Sequence, residues 1–164
     1  MKHTNPKDAV GSDKLPLHLW PMSATAYGCI GLANGMLKYG RANWREAGIR
    51  PSIYVDACIR HLTDWFEGQE CDPEDGVHNL SGAIACLAII IDASVTGKLN
   101  DDRNYNGSGW REARAKMEPH VARLKELHSH RHPKHYSIQD SLQSPLDNGD
   151  IPGYNAGMTK EFSE

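Results

Sequence analysis

The run from Asn79 to Thr96, closed by Gly97, constrains this chain more than any other segment. The nine residues from Ala83 to Ile91 are uninterrupted apolar, and the wider run is apolar nearly all round a helix rather than along one stripe. A helix of that kind belongs at the centre of a fold, covered on every side. It is far too short an apolar run to cross a bilayer, which takes about 20 residues.

The punctuation around this run predicts more helices. Ser23 is a good N-cap for a helix reaching Lys38, with Gly40 as its stop. Pro51 or Ser52 opens a second helix that closes at Glu67, just before Gly68. No segment alternates apolar and polar residues as a half-buried strand does. The expected fold is therefore all-α, a helical bundle with three core helices near 23–38, 51–67 and 79–96. A fourth, charged helix spans about Trp110 to Leu127 and should break at Pro119, with Val121, Leu124 and Leu127 continuing its apolar stripe. The predicted organisation is an N-terminal arm at 1–22, a helical domain at 23–128, and a His-rich, mostly irregular tail at 129–164. With 164 residues, a chain can bury about two-thirds of its unfolded surface, so one core suffices.

Charge and cysteine usage narrow the function classes. Eighteen Lys and Arg against 21 Asp and Glu leave a net charge of −3 and no basic field, so a nucleic acid polymer is not the expected partner. The N-terminal residues carry no apolar region like that of a signal peptide, and no membrane partner is expected. Cys29, Cys58, Cys71 and Cys86 form no CxxC pair and read as reduced core thiols of a cytoplasmic protein. Gly-rich phosphate loops, GxSxG elbows and zinc-spaced Cys/His sets are all missing.

Six features bear on possible chemistry. Gly28, Gly31 and Gly35 share one helical face, and each costs a helix up to about 1 kcal/mol, so they mark close approach of either a partner helix or a ligand. Lys38, Tyr39, Asn43, Trp44 and Arg45 gather cations, rings and an amide around a helix end. That set suits a nucleotide, with cations on phosphates and rings on the base, although a helix terminus with dipole-compensating cations would look the same. Asp56, Arg60 and His61 put an acid, a cation and an imidazole within two turns, either as a site or as a solvated face beside the stripe Tyr54, Cys58, His61, Trp65. Asp92 ends a face of small residues, Ala88, Ala85 (or Ile84) and Ser81, with His78 at its other end, on the most apolar helix; a buried carboxylate there must be paired, neutralised or metal-bound, whereas one in the last turn can simply reach water. The acidic loop Glu67, Glu70, Asp72, Glu74, Asp75 could feed a hard cation or simply be solvated. His128, His130, His132 and His135 read as a solvated tail rather than a metal site.

Six segments in fixed order carry a family resemblance. They are Asn5-Pro-Lys-Asp-Ala-Val-Gly11, Lys14-Leu-Pro-Leu17, Lys38-Tyr-Gly40 with Asn43-Trp-Arg45, Tyr54 to His61, Asp72-Pro-Glu with Gly76, and Ala85-Cys86 to Asp92-Ala93. Over about residues 5–103 the chain resembles the phage-borne dATP/dGTP diphosphohydrolase domain, which is grouped with the MazG-like all-α NTP pyrophosphatases. The resemblance implies an enzyme that splits a purine (d)NTP into the monophosphate and pyrophosphate using Mg2+, with Mn2+ as a substitute, in the host cytoplasm if phage-encoded. It implies Asp56, Asp72, Glu74 and Asp92 as metal ligands, and Asp56, His61 and Asp92 as catalytic residues. Lys38, Arg45 and Arg60 would hold phosphates, with Tyr39, Asn43 and Trp44 at the base. The chain departs from the MazG-like ExxE and ExxD signatures, since Glu67-Gly-Gln-Glu70 straddles a helix end, and it has Asn79 and Gly82 where many relatives carry His. A nucleotide-binding protein of the same fold without turnover, such as a phage nucleotide sponge, is the alternative. Glycine-faced contacts and a wholly apolar helix also predict a homo-oligomer, dimer or tetramer.

Overall fold

The computed structural model describes residues 5, 7, 11 and 14–142; expectations for the rest of the arm and for 143–164 lie outside the described residues. The contacts separate into two compact units, one ending at Tyr105 and the other starting at Asn106. The described residues are helical with no strand. Two isolated bridges occur, Ile49 with Leu99 and Cys71 with His78.

The first unit holds helices α1 (Met22–Tyr39), α2 (Asn43–Ala47), α3 (Pro51–Phe66) and α4 (Asn79–Val95). α4 is central, with α1, α2 and α3 all packing against it. The three expected core helices are present within one or two residues at each end. The N-cap of α1 is Pro21, not Ser23, which lies inside the helix. Proline holds its own φ near −70° and needs no side-chain cap to launch the first turn. Gly40, at φ 92°, stops α1 as expected. The chain then turns through Ala42 at φ 54°, a left-handed conformation that costs an alanine about 1 kcal/mol and that launches the short α2.

Close approach between helices explains the glycine face. A Cβ on Gly31 would collide with the Ser81 carbonyl oxygen and sit 2.7 Å from its carbon, and one on Gly28 would lie 2.8 Å from Ile84 Cγ2. Around Gly35 nothing lies within 4 Å. Two of the three glycines thus serve the α1–α4 contact.

α4 itself corrects the expectation of a fully covered helix. Its buried residues are Asn79, Ser81, Ala83, Ala85 and Ala93, while Leu87, Ile91 and Val95 are half to four-fifths exposed. These three face outward because α1 and α3 approach α4 mostly through small residues, with Ile84 set against Gly28 of α1. The covered apolar set is correspondingly slight: Ile49, Cys58, Ala83, Ala85 and Ala93. Cys29 and Cys71 are exposed rather than in the core, and all four thiols are free. In the arm, Leu17–Leu19 forms one 3-10 turn, and Leu15, Leu17, Leu19 and Trp20 stay exposed.

The second unit contains α5 (Ser108–Leu127) and α6 (Ile138–Leu142). α5 runs through Pro119 unbroken, contrary to expectation. Nine residues separate Trp110 from Pro119, about half a revolution on the helical wheel, so the proline sits opposite the apolar stripe. The carbonyl it frees, that of Ala115, lies near the same outer face and is open to water, which lowers the cost. No described helix is long and apolar enough to cross a membrane.

Candidate functional site

Two latches organise the region where the sequence gathers cations, aromatics and acids. At the first, Asp75 Oδ2 accepts from Lys38 Nζ and from Asn34 Nδ2, both at 2.7 Å, while its Oδ1 accepts from the Val77 amide at 2.9 Å. Asp75 thereby ties the acidic loop to the last turns of α1. The Lys38 ammonium holds the Asp75 carboxyl down at about 2, with the Val77 and Asn34 donors adding to the effect. The same hydrogen bond raises the Lys38 ammonium.

At the second latch, Asp92 near the end of α4 meets α2. Trp44 Nε1 and Arg45 Nε donate to Oδ2 at 2.7 and 2.8 Å, and Arg45 Nη2 donates to Oδ1 at 2.6 Å. The guanidinium, and then the indole, hold the Asp92 carboxyl at about 2. This fork-to-carboxylate pairing gives the acid a structural explanation that its place on an apolar helix does not suggest. Asp92 thus lies beside the Lys38–Arg45 segment with both oxygens engaged.

α3 is placed differently. Cys58 is buried and its thiol reaches the Ala83 carbonyl at 3.7 Å. Asp56 and Arg60 each lie two positions away from it, about 200° round the helix, and both are exposed. Asp56 faces away from the Cys58 side that packs on α4, so no described contact joins it to Asp92, while Arg60 stays close enough to α4 for its charge to act on the Cys86 thiol. Among the described residues no ion pair joins Asp56 to Arg60.

His61 is half-buried against α4. Asn79, which is 1% exposed, donates Nδ2 to the Gln69 carbonyl at 2.8 Å, which turns its Oδ1 toward His61 Nδ1 at 3.0 Å. His61 Nδ1 therefore carries the proton and donates. Gly82 makes room for the ring, since a Cβ there would lie 2.7 Å from Cδ2 and Cε1. His78 binds Glu70 at 2.9 Å, caps Leu80 through Nδ1 at 3.1 Å and meets the Tyr27 ring edge-on at 4.8 Å.

The four expected metal ligands are not gathered. Asp72 turns its Oδ1 to the Glu74 amide at 2.8 Å, and Glu74 is exposed. Among the described residues no group of three His, Cys, Asp or Glu is placed to hold a metal ion. Of the expected nucleotide ligands, Tyr39 and Arg60 are exposed, Asn43 and Trp44 half-buried, and Lys38 and Arg45 are in the latches.

Sequence reasoning missed Asn34 and the particular role of Asp75. One signal was legible: Asp75-Gly76-Val77 is an Asx turn, with the carboxylate bonded to the amide two residues on. Neither cysteine of the interior is a nucleophile at neutral pH, because burial raises Cys58 and pushes Cys86 up to about 11.

The described residues of this unit form an all-α domain whose helix ends carry paired acids and cations. Residues 4–103 match the family model of the dATP/dGTP diphosphohydrolase N-terminal domain, and the chain belongs to that family. A relative, the dATP/dGTP diphosphohydrolase of Salmonella phage PMBT28, is 33% identical over 90 residues, which is 54% of this chain and 30% of the relative. The match therefore spans less than a third of that relative's length. No solved structure matches the chain.

Proposed function

We propose that this chain binds a purine deoxynucleoside triphosphate and converts it to the monophosphate and pyrophosphate. The observation that carries the reading is the family match over residues 4–103. The two latches support it chemically. Lys38 and Arg45 each hold a single carboxylate at the surface, and a triphosphate offers both a better charge match than one Asp. Arg60 is a third cation, on the outer face of α3. Trp44 and Tyr39 would flank the base, with Asn43 at its polar edge.

Among the described residues no Mg2+ cage forms within one chain. Asp75 and Asp92 are committed to cations, and Asp56 faces elsewhere. A requirement for Mg2+ or Mn2+ remains part of the proposal. A second reading, binding without turnover, is favoured by the lack of a three-acid cluster among the described residues.

The reading includes a homo-oligomer working on the free nucleotide pool of the cytoplasm. Leu87, Ile91 and Val95 on α4 and Ile59, Leu62 and Phe66 on α3 are exposed apolar side chains of the kind a second copy covers. Light scattering should give a dimer or tetramer at micromolar concentration; a monomer removes this part. Incubation with each dNTP and Mg2+, followed by ion-exchange separation, tests the activity. Monophosphate plus pyrophosphate from dATP or dGTP is the expected result. Intact nucleotide that copurifies with the protein supports the second reading.

A further inference from the structure

α5 lies outside the residues that the family match covers, and its surface has a pattern of its own. Its apolar residues Trp110, Met117, Val121, Leu124 and Leu127 are all more than half exposed. Numbered as heptads, Trp110, Met117 and Leu124 occupy position a, Ala113, His120 and Leu127 position d, and Val121 widens the stripe at e. The g positions are Lys116 and Arg123, and the other helical e position is Arg114. No acid stands at e or g. Glu112, Glu118 and Glu126 all sit at b or c, on the outer half of the helix, where Glu118 reaches Arg114 at 3.2 Å.

An isolated helix of this length is marginal in water, and Pro119 weakens it further, so a stripe of this kind calls for a cover. We infer that α5 is a docking helix for an acidic amphipathic helix, one with an apolar a/d seam and Glu or Asp at its e and g positions. The e and g charges of a helix pair set partner choice, and here they are of one sign. A second copy of α5 is a poor partner, because antiparallel pairing sets Lys116 against Arg123 of the other copy and parallel pairing supplies no acid. The outer b and c positions mix Glu112, Glu118 and Glu126 with Arg111 and Lys125 rather than presenting the Lys/Arg-rich face of a bilayer-lying helix, and a phosphate polymer would leave the apolar stripe uncovered.

The test uses the full chain and two designed peptides of about four heptads, both with Leu at a and d, one with Glu and one with Lys at every e and g. Calorimetric titration at low salt should show the Glu peptide binding at least about tenfold more tightly than the Lys peptide. Joint Arg114→Glu, Lys116→Glu and Arg123→Glu should reverse the preference with helical circular dichroism retained. Leu124→Asp should abolish binding of both peptides. Equal or no binding by the unaltered chain overturns the inference, as does a preference that survives the charge reversal. Dissociation of a homo-oligomer by Leu124→Asp, or tighter binding to anionic vesicles or duplex DNA than to the Glu peptide, also overturns it.

Discussion

The two sides of α4 are built on opposite principles. On the α1 side, Gly28 and Gly31 let the backbone of one helix approach Ser81, Ile84 and Ala85 of the other, so the seam is made by side chains that are missing. On the α3 side, Asn79 is wholly buried and bonded to His61 and to Gln69, so the seam is made by polar groups satisfied in pairs. The first arrangement tolerates no added volume. The second tolerates no lost partner. Both keep the covered face of α4 small, and for that reason Leu87, Ile91 and Val95 lie elsewhere.

The strongest way to break this contrast is Gly31→Ala. The added methyl meets backbone rather than a side chain that could move, so overpacking should outweigh the gain in helix propensity and cost about 3 kcal/mol. Thermal melting should then fall by more than about 10 °C. An unchanged melting temperature would show that α1 and α4 are not held this close. Next comes Asn79→Ala, which strands the His61 imidazole and the Gln69 carbonyl and should cost about 2 kcal/mol in a denaturant titration. A much smaller cost means that water replaces the amide and that the α3 seam is not sealed.

Gly35→Ala sharpens the comparison from the other direction. It lies on the same stripe as Gly31 but has open space around it, so it should stabilise the protein by about 0.5–1 kcal/mol. A destabilisation would place a further surface over that part of α1.

The smallest effect concerns the latches, which are exposed and therefore weak at neutral pH. Asp75 and Asp92 drop from 3.8 when unfolded to about 2 when folded. A lowered folded pKa adds stability that is fully present above about pH 4 and lost as the pH falls toward 2. Melting temperature should decline over that window, and Asp75→Asn with Asp92→Asn should flatten the decline. An equally steep decline in the double variant would assign the acid sensitivity to other carboxylates.

The helices themselves were legible in the sequence, because their signals are local. Gly40 ends α1 by its own freedom at φ 92°, Pro51 starts α3, and the apolar run from Ala83 to Ile91 makes α4 the centre. The glycine stripe was also visible, though not which glycines would be used: Gly28 and Gly31 touch α4 and Gly35 does not, a matter of crossing angle. The candidate site was legible only as a set of residue types. Asp92 was singled out for its unusual position, and Trp44 and Arg45 as candidate nucleotide ligands, but not that they would bind Asp92 themselves. Asp56 read as a fellow metal ligand of Asp92 through the family resemblance, whereas the rotation of α3 about Cys58 turns it outward.

Sequence by itself thus determined what each segment does along its own axis: where a helix starts and stops, and which residue types share a face. Tertiary structure decided which face meets which neighbour, and with it whether a charge is a ligand or a latch. The reason is physical. Caps, stops and periodicity depend on residues within a turn or two, while pairing Asp92 with Arg45 or Asp75 with Lys38 joins positions 47 and 37 residues apart, through geometry that no local pattern encodes.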